Sequence, residues 1–187
     1  MIPIRNKKKT LEVTVEEMRN FAFAYVEKYA PSKQQLKTYL LKKYLKTSIT
    51  NVKKQDVNNL IDIVLSDLEK SKFINDKFYS ETKAKSMIRR GNSINKIRSY
   101  LIGKGIKDDF IKETVSKIQD ENSDQDFFSA IKICKKKRIG PARVNDNRAL
   151  FYKKDISLLA RNGFDFETSR KVMDIEKDEY LKIINLL

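Results

Sequence analysis

Two stretches of this chain repeat one helical pattern 61 residues apart. Residues 32–40 read Ser-Lys-Gln-Gln-Leu-Lys-Thr-Tyr-Leu, and residues 93–101 read Ser-Ile-Asn-Lys-Ile-Arg-Ser-Tyr-Leu. In both, a serine stands where a helix N-cap is expected, an apolar residue follows four positions later, and a Tyr-Leu pair closes the stretch. A third copy places Leu159 58 residues beyond Leu101 and continues, as the second does, to a glycine and an apolar residue. We interpret the pattern as an internal repeat of helical units.

Helical periodicity along the rest of the chain predicts an all-α fold. Only 5 Gly and 3 Pro occur in 187 residues, too few for the many turns of a small all-β protein. Thr14 with Glu17, and Ser32 with Gln35, fit the capping box, while Asn75, Ser93, Ser123 and Asp165 stand where further N-caps are expected. Gly105 and Gly163 follow helical segments as C′ residues. The predicted helices lie near residues 15–30, 32–45, 54–71, 76–90, 93–104, 107–120, 124–138, 147–162, 166–174 and 176–186.

The repeat predicts a division into three three-helix units of helix-turn-helix-like form. After an N-terminal segment, residues 1–14, the first unit covers 15–74 and the second 75–120. The third unit, 121–187, carries an additional C-terminal helix. Two polar loops, within 46–56 and 139–147, absorb the differences in length between the units.

Composition excludes several classes of function. His is absent and Cys134 is the sole cysteine, which excludes a His-based acid/base site, a zinc site of His or Cys ligands and an intramolecular disulfide. Cys134 lies on an apolar helical stripe, so we expect it to be a buried small hydrophobe. No apolar run approaches the roughly 18 residues of a membrane span, and no signal peptide is evident. We therefore expect a cytoplasmic protein with no membrane partner.

The charge is strongly positive and unevenly distributed. The net charge is +15, from 40 Lys and Arg against 25 Asp and Glu, which favours a polyanionic partner. Residues 83–107 contain eight basic residues and no acid, and residues 129–154 contain nine against Asp146 alone. We interpret these segments as basic faces that follow a phosphate backbone, although simple solvation is the better explanation for any single lysine. The candidate partner- and nucleic-acid-binding residues are Lys85, Arg89, Arg90, Lys96, Arg98, Lys104, Lys135, Lys136, Lys137, Arg138, Arg143 and Arg148.

The sequence indicates no catalytic residue, metal ligand or cofactor. The paired acids Asp108 and Asp109, and those near 124–126 and 174–178, stand at helix starts, where acids complement the helix dipole. The spacing of the aromatic residues favours core packing over a platform for stacked bases. These aromatic residues are Tyr25, Tyr29, Phe73, Phe78, Phe110, Phe127 and Phe128.

From about residue 15 to about 174, the chain resembles the RecX family, which regulates RecA recombinase filaments. The most specific stretch is Phe-Ile-Asn-Asp-Lys-Phe-Tyr at 73–79, which is similar to the family's junction G-[FYL]-[IL]-[ND]-D-x-x-[FY]-A. Residues 32–43, 97–106 and 159–164 resemble the family's patterns S-R-x-E-L…L-x-x-K, I-x-x-x-L-x-x-K-G-I and L-x-x-R-G-F. Four positions depart from these patterns: Gln35 replaces Glu, Lys72 replaces Gly, Ser80 replaces Ala and Asn162 replaces Arg.

The resemblance implies three tandem three-helix repeats in an elongated, curved arrangement. It also implies a non-enzymatic protein that binds the RecA filament on single-stranded DNA along its groove and opposes filament growth, ATP hydrolysis and strand exchange. We expect a monomer that contacts single-stranded DNA directly or through the filament. Two alternatives from the residues themselves are a general basic DNA-binding protein with helix-turn-helix-like units and a metal-dependent nuclease using Asp108 and Asp109.

Overall fold

The computed structural model describes residues 11–46 and 53–187, and all the regular elements in these ranges are helical. A short 3₁₀ turn covers Gly140–Ala142. The α-helices are α1 (Val15–Tyr29), α2 (Lys33–Lys46), α3 (Lys54–Lys70), α4 (Asp76–Arg89), α5 (Ile94–Gly103), α6 (Asp108–Glu121), α7 (Gln125–Lys137), α8 (Asn145–Arg161), α9 (Phe166–Asp174) and α10 (Lys177–Leu186). The all-α prediction is confirmed, and each predicted helix corresponds to one of these. Among the described helices, none combines the length and apolar character that crossing a bilayer requires.

Side chains cap several helix starts, as the sequence predicts. The α2 start is a complete capping box, because the Gln35 backbone N–H donates to Ser32 Oγ at 3.2 Å and the Ser32 N–H donates to Gln35 Oε1 at 3.1 Å. Ser93 Oγ accepts from the Lys96 N–H in the same way at the start of α5. The prediction for α7 is wrong, since its N-cap is Asp124 rather than Ser123 and makes no side-chain cap hydrogen bond.

Left-handed residues end six of the described helices. Gly91, Gly105 and Gly163 have φ values of 78°, 72° and 86°, while the non-glycine residues Ala30, Lys72 and Arg138 adopt 41°, 59° and 54°. At Lys72 the N–H donates to Glu69 O, and the next N–H, of Phe73, donates to Leu68 O. This pair of bonds is the Schellman motif, which satisfies carbonyls that the last helical turn leaves unpaired.

The chain divides into two compact units, one ending at Tyr79 and the other comprising Ser80–Leu187. In the first, α1, α2 and α3 pack together around a common core. Its fully buried side chains include Met18, Ala22, Leu36, Leu40, Tyr44, Ile61 and Val64. The division into three repeats stays a prediction, since the boundary between these two units lies within α4.

In the second unit, α7, α9 and α10 surround a core with α8 and the 3₁₀ turn. Its buried side chains include Ile131, Cys134, Leu159, Val172, Met173 and Tyr180. Burial raises the pKa of Cys134 to about 12, so the thiol stays protonated at neutral pH. The Ser80 and Thr114 hydroxyls, 2.8 Å apart, form a buried hydrogen bond between α4 and α6.

The repeat positions have matching burial but not matching chemistry. Leu40, Leu101 and Leu159 have no exposed surface. Four residues earlier in each copy stand Leu36, Ile97 and Asp155, which are equally inaccessible, with Asp155 1% exposed. The third copy thus has an acid in a buried position that the other two fill with an aliphatic side chain.

Core packing of the aromatic side chains is only partly confirmed. Tyr25 and Phe127 contact the cores of their units. For Tyr29, Phe73 and Phe78 the prediction is wrong, because these side chains are 54%, 55% and 67% exposed. Their helical spacing indicates the direction in which they project, but not whether another helix covers them.

Candidate partner and nucleic-acid interface

The predicted binding residues all lie in the second unit, from α4 to α8. Nine of the twelve are exposed, and three, Lys104, Arg143 and Arg148, are half-buried. The exposed ones stand on the C-terminal half of α4, the turn after it, α5 and the C-terminal end of α7. They are Lys85, Arg89, Arg90, Lys96, Arg98, Lys135, Lys136, Lys137 and Arg138.

The turn after α4 packs directly on α7. A Cβ added to Gly91 would lie 3.0 Å from both the Lys132 Cβ and the Ser129 carbonyl oxygen, and the φ of 78° at this residue also favours glycine. The Asp126 carboxylate accepts a hydrogen bond from the Ile94 N–H at 2.8 Å and fixes the start of α5 to the start of α7. Arg89 and Arg90, which precede Gly91, therefore lie beside Lys132. The two basic segments of the sequence meet at this turn.

The start of α5 also contacts the turn between α8 and α9. Ser93 Oγ donates to the Asn162 carbonyl oxygen at 2.8 Å, and the Asn95 side-chain amide donates to the Gly163 carbonyl at 3.2 Å. Lys96 Nζ donates to Asn162 Oδ1 at 3.2 Å. Lys96 therefore lies beside the C-terminal end of α8, where Arg161 is exposed.

These two contacts gather five basic residues around the α4–α5 turn, which we call the basic junction: Arg89, Arg90, Lys96, Lys132 and Arg161. Arg90 is partly oriented, since its Nη2 donates to Ser86 Oγ at 2.8 Å. Lys132 and Arg161 are absent from the set predicted by sequence. Lys132 lies in a recognised basic segment, but Arg161 lies outside both, and only its contact neighbourhood reveals it.

Further exposed cations extend from the basic junction along the same helices. On α8, Lys153, Lys154 and Arg161 occur at helical spacing on the exposed side, and none of the three is among the binding residues predicted from the sequence. On α7, Lys135, Lys136 and Lys137 form the last turn, where cations also complement the negative end of the helix dipole. The α7 lysines thus have a structural reason for their position in addition to any role in binding.

Two predicted residues are engaged inside the fold. Arg143 forms a bidentate ion pair with Asp155, with Nε 2.6 Å from Oδ2 and Nη2 2.9 Å from Oδ1. Arg148 Nη2 donates to the carbonyl oxygens of Met173 and Ile175, at the end of α9. Because both guanidinium groups are already used in packing, we leave these residues out of the proposed interface.

Asp155 holds this part of the second unit together as an ionised carboxylate. Burial raises the pKa of Asp155, but the hydrogen bonds from Arg143 and from the Gly140 N–H, at 2.8 Å, outweigh burial and place that pKa below its ordinary value. The sequence shows Asp155 only as an acid that directly follows a basic segment. Its role depends on a buried position that the linear pattern assigns to an aliphatic residue.

Comparison with known proteins finds relatives that align with most of the chain. None of the known protein-family models matches the chain. The chain is, however, 29% identical over 173 residues to the regulatory protein RecX of Myxococcus xanthus, an alignment that covers 91% of each chain. It is 25% identical over 167 residues to the regulatory protein RecX of Agrobacterium fabrum, covering 89% of this chain and 87% of the relative. Over most of its length the chain is therefore similar to RecX regulatory proteins.

A solved structure has the same fold. The crystal structure of a regulatory protein RecX superposes with a TM-score of 0.59, covering 86% of this chain and 74% of that one at 17% sequence identity.

The structure shows what two departures from the RecX sequence patterns do. Lys72, in place of the usual glycine, keeps the left-handed backbone that the end of α3 requires. Asn162, in place of Arg, supplies the Oδ1 atom that accepts from Lys96. Relative to the RecX pattern, this chain therefore has a neutral acceptor in place of a cation at the basic junction.

Proposed function

We propose that this chain regulates RecA by binding the RecA–single-stranded DNA filament along its groove. Binding there would inhibit ATP hydrolysis, filament growth and strand exchange, and the chain would catalyse no reaction itself. The basic junction is the observation that carries the proposal, because it brings cations from four helices, α4, α5, α7 and α8, together at one turn. Similarity to two proteins named regulatory protein RecX supports the choice of RecA as partner.

The chemistry of the basic junction suits a polyanionic surface. Three of its five members are arginines, whose planar guanidinium groups can contact phosphate or carboxylate oxygens in a bidentate manner. Each phosphate that such a group neutralises releases condensed counterions, which favours binding at low salt. A filament groove lined by DNA phosphate and acidic protein side chains would supply both kinds of oxygen. The contacts of Gly91 and Ser93 hold the junction in a fixed arrangement before it binds.

The test measures RecA ATP hydrolysis on single-stranded DNA. The protein is titrated at concentrations far below that of RecA, with DNA in excess, so that masking of DNA cannot explain inhibition. We expect strong inhibition under these conditions. Inhibition that appears only when the protein suffices to coat the DNA would contradict the proposal and favour a general DNA-binding protein.

A matched pair of variants tests the interface. In one, Arg89, Arg90 and Arg161 are changed to Gln; in the other, the exposed Lys171, Lys177 and Lys182 of α9 and α10 are changed to Gln, with the same loss of charge. We expect the first to raise the half-inhibitory concentration about tenfold or more and to reduce the salt dependence of binding, and the second to change neither substantially. Full inhibition by a first variant with unchanged far-UV circular dichroism would exclude the basic junction as the interface.

A further inference from the structure

We propose that the first unit carries a separate binding site for single-stranded DNA, in which a row of tyrosine rings stacks with unpaired bases. The row consists of Tyr29, Tyr25 and Tyr39, contributed by α1 and α2, and is called the tyrosine row below. The rings of Tyr25 and Tyr39 are nearly parallel, with centroids 4.1 Å apart and an interplanar angle of 12°. The Tyr29 ring follows at 4.8 Å from Tyr25, tilted by 46°.

The tyrosine row is partly built into the fold and partly open. Tyr25 and Tyr39 pack against the buried core of the first unit, which fixes the direction in which the row extends. Tyr29 is the last residue of α1 and is 54% exposed, although its neighbours in the row are half-buried. The exposed ring surface at Tyr29 gives a flat molecule a place to extend the row. A nucleobase suits this position because each of the bases has a π face, whatever the sequence.

Cations lie at both ends of the tyrosine row. Lys28 Nζ stands 5.3 Å from the centroid of the Tyr29 ring. At the other end, Lys43 Nζ is 5.9 Å from the Tyr39 centroid and 3.6 Å from that of Phe21, and Lys42 beside it is exposed. In a bound single strand, the bases can stack on the aromatic rings while the ammonium groups at the two ends neutralise phosphates. This charge distribution favours single-stranded DNA over an uncharged or cationic partner.

The tyrosine row and the basic junction make different predictions about what is recognised. The basic junction responds to phosphate charge, whether or not bases are present. The tyrosine row requires bases that are free to stack, and it requires no RecA. The proposal therefore does not rest on the proposed function, and either one can fail without the other.

The test compares two labelled oligonucleotides that differ only in their bases. One is oligothymidine of about 12 nucleotides, and the other is an abasic strand with the same number of phosphates. Binding of the full chain is followed by fluorescence anisotropy. Tyrosine emission gives a second signal, because the chain has eight Tyr and no Trp and a stacked base quenches the ring that it contacts. We expect about tenfold tighter binding of oligothymidine than of the abasic strand, together with quenching.

Variants assign that preference to the tyrosine row. Tyr29→Leu keeps apolar volume but removes the exposed ring, and Tyr39→Leu removes a packed ring as a second, independent change. We expect both to lose most of the preference for oligothymidine. Phe78→Leu, at an exposed aromatic residue of the same unit, is the matched control and should retain it. The triple variant of the basic junction should weaken binding of both strands equally and leave their ratio unchanged.

Three results would overturn the proposal. Equal affinity of the wild-type chain for the two strands would show that bases contribute nothing. Retention of the preference by Tyr29→Leu would exclude its ring as the contact. Equal loss of the preference in Phe78→Leu would show that any exposed aromatic ring serves, rather than this row.

Discussion

Removal of the Asp155 carboxylate tests how the second unit is held together. The side chain is 1% exposed and accepts three hydrogen bonds, two from Arg143 and one from the Gly140 N–H. Asp155→Ala leaves both donors without their acceptor. Breaking a buried ion pair from one side costs about 3–5 kcal/mol, and the Arg143 side chain, which is 20% exposed, can regain some hydration. We therefore expect Asp155→Ala to lower the free energy of unfolding by about 3 kcal/mol.

The other two copies of the repeat suggest a second substitution at the same position. Asp155→Leu gives this position an aliphatic side chain, as Leu36 and Ile97 do in the other two copies, but it leaves Arg143 without its ion-pair partner. The double variant Asp155→Leu with Arg143→Met replaces both partners and leaves no unpaired charge. Replacing a buried ion pair by apolar side chains often leaves the stability of a protein unchanged. We expect the double variant to be more stable than Asp155→Leu alone by about 2 kcal/mol. It should still be less stable than the wild type, in part because the Gly140 N–H has lost its acceptor.

Urea unfolding of these variants can be followed by far-UV circular dichroism and by pulsed alkylation of Cys134. Cys134 is the sole cysteine and is buried in the second unit, so alkylation reports the opening of that unit. A loss below about 1 kcal/mol in Asp155→Ala would refute the reasoning, because it would show that Arg143 is well solvated without its partner. A double variant no more stable than Asp155→Leu would refute the stranded-charge explanation in particular.

Three further predictions concern the acid sensitivity due to Asp155, the left-handed backbone at Lys72 and the close contact at Gly91. The pKa of Asp155 in the folded protein lies below its ordinary value of 3.8. The stability that ionised Asp155 contributes is therefore complete above pH 3.8 and is lost as the pH falls through the lower, folded-state pKa. When unfolding is measured across acidic pH, the free energy of unfolding should decline less for Asp155→Asn than for the wild type. Lys72→Gly should stabilise the protein by about 0.5–1 kcal/mol in urea unfolding, because it relieves a left-handed non-glycine residue, whereas Lys70→Gly, at the last residue of α3, should destabilise it. Gly91→Ala should destabilise it by about 2 kcal/mol and weaken inhibition of RecA, because the added methyl meets Lys132 and the Ser129 carbonyl and displaces the α4–α5 turn from α7; unchanged unfolding and unchanged inhibition would contradict that contact.

Local sequence determined the helices and much of their capping. Periodicity of three and four residues, the Ser32–Gln35 capping box and the glycines at C′ positions depend on residues within one or two turns of each other, so the printed order contains the information. The same local patterns, repeated along the chain, identified the RecX resemblance. They also indicated which segments carry the positive charge.

Tertiary structure decided which of those charges are available and where they meet. Arg138 and Arg143 are five residues apart in one basic segment, yet one is exposed at the end of α7 and the other is paired with a buried acid. Arg161 lies at the basic junction because of contacts between the start of α5 and the turn after α8, which are 69 and 66 residues apart in sequence. Tyr29 is exposed although its spacing matches that of buried neighbours. The sequence specifies the charge of a side chain and its direction from a helix, but the neighbour that pairs with it or covers it comes from a distant segment, and only packing brings the two together.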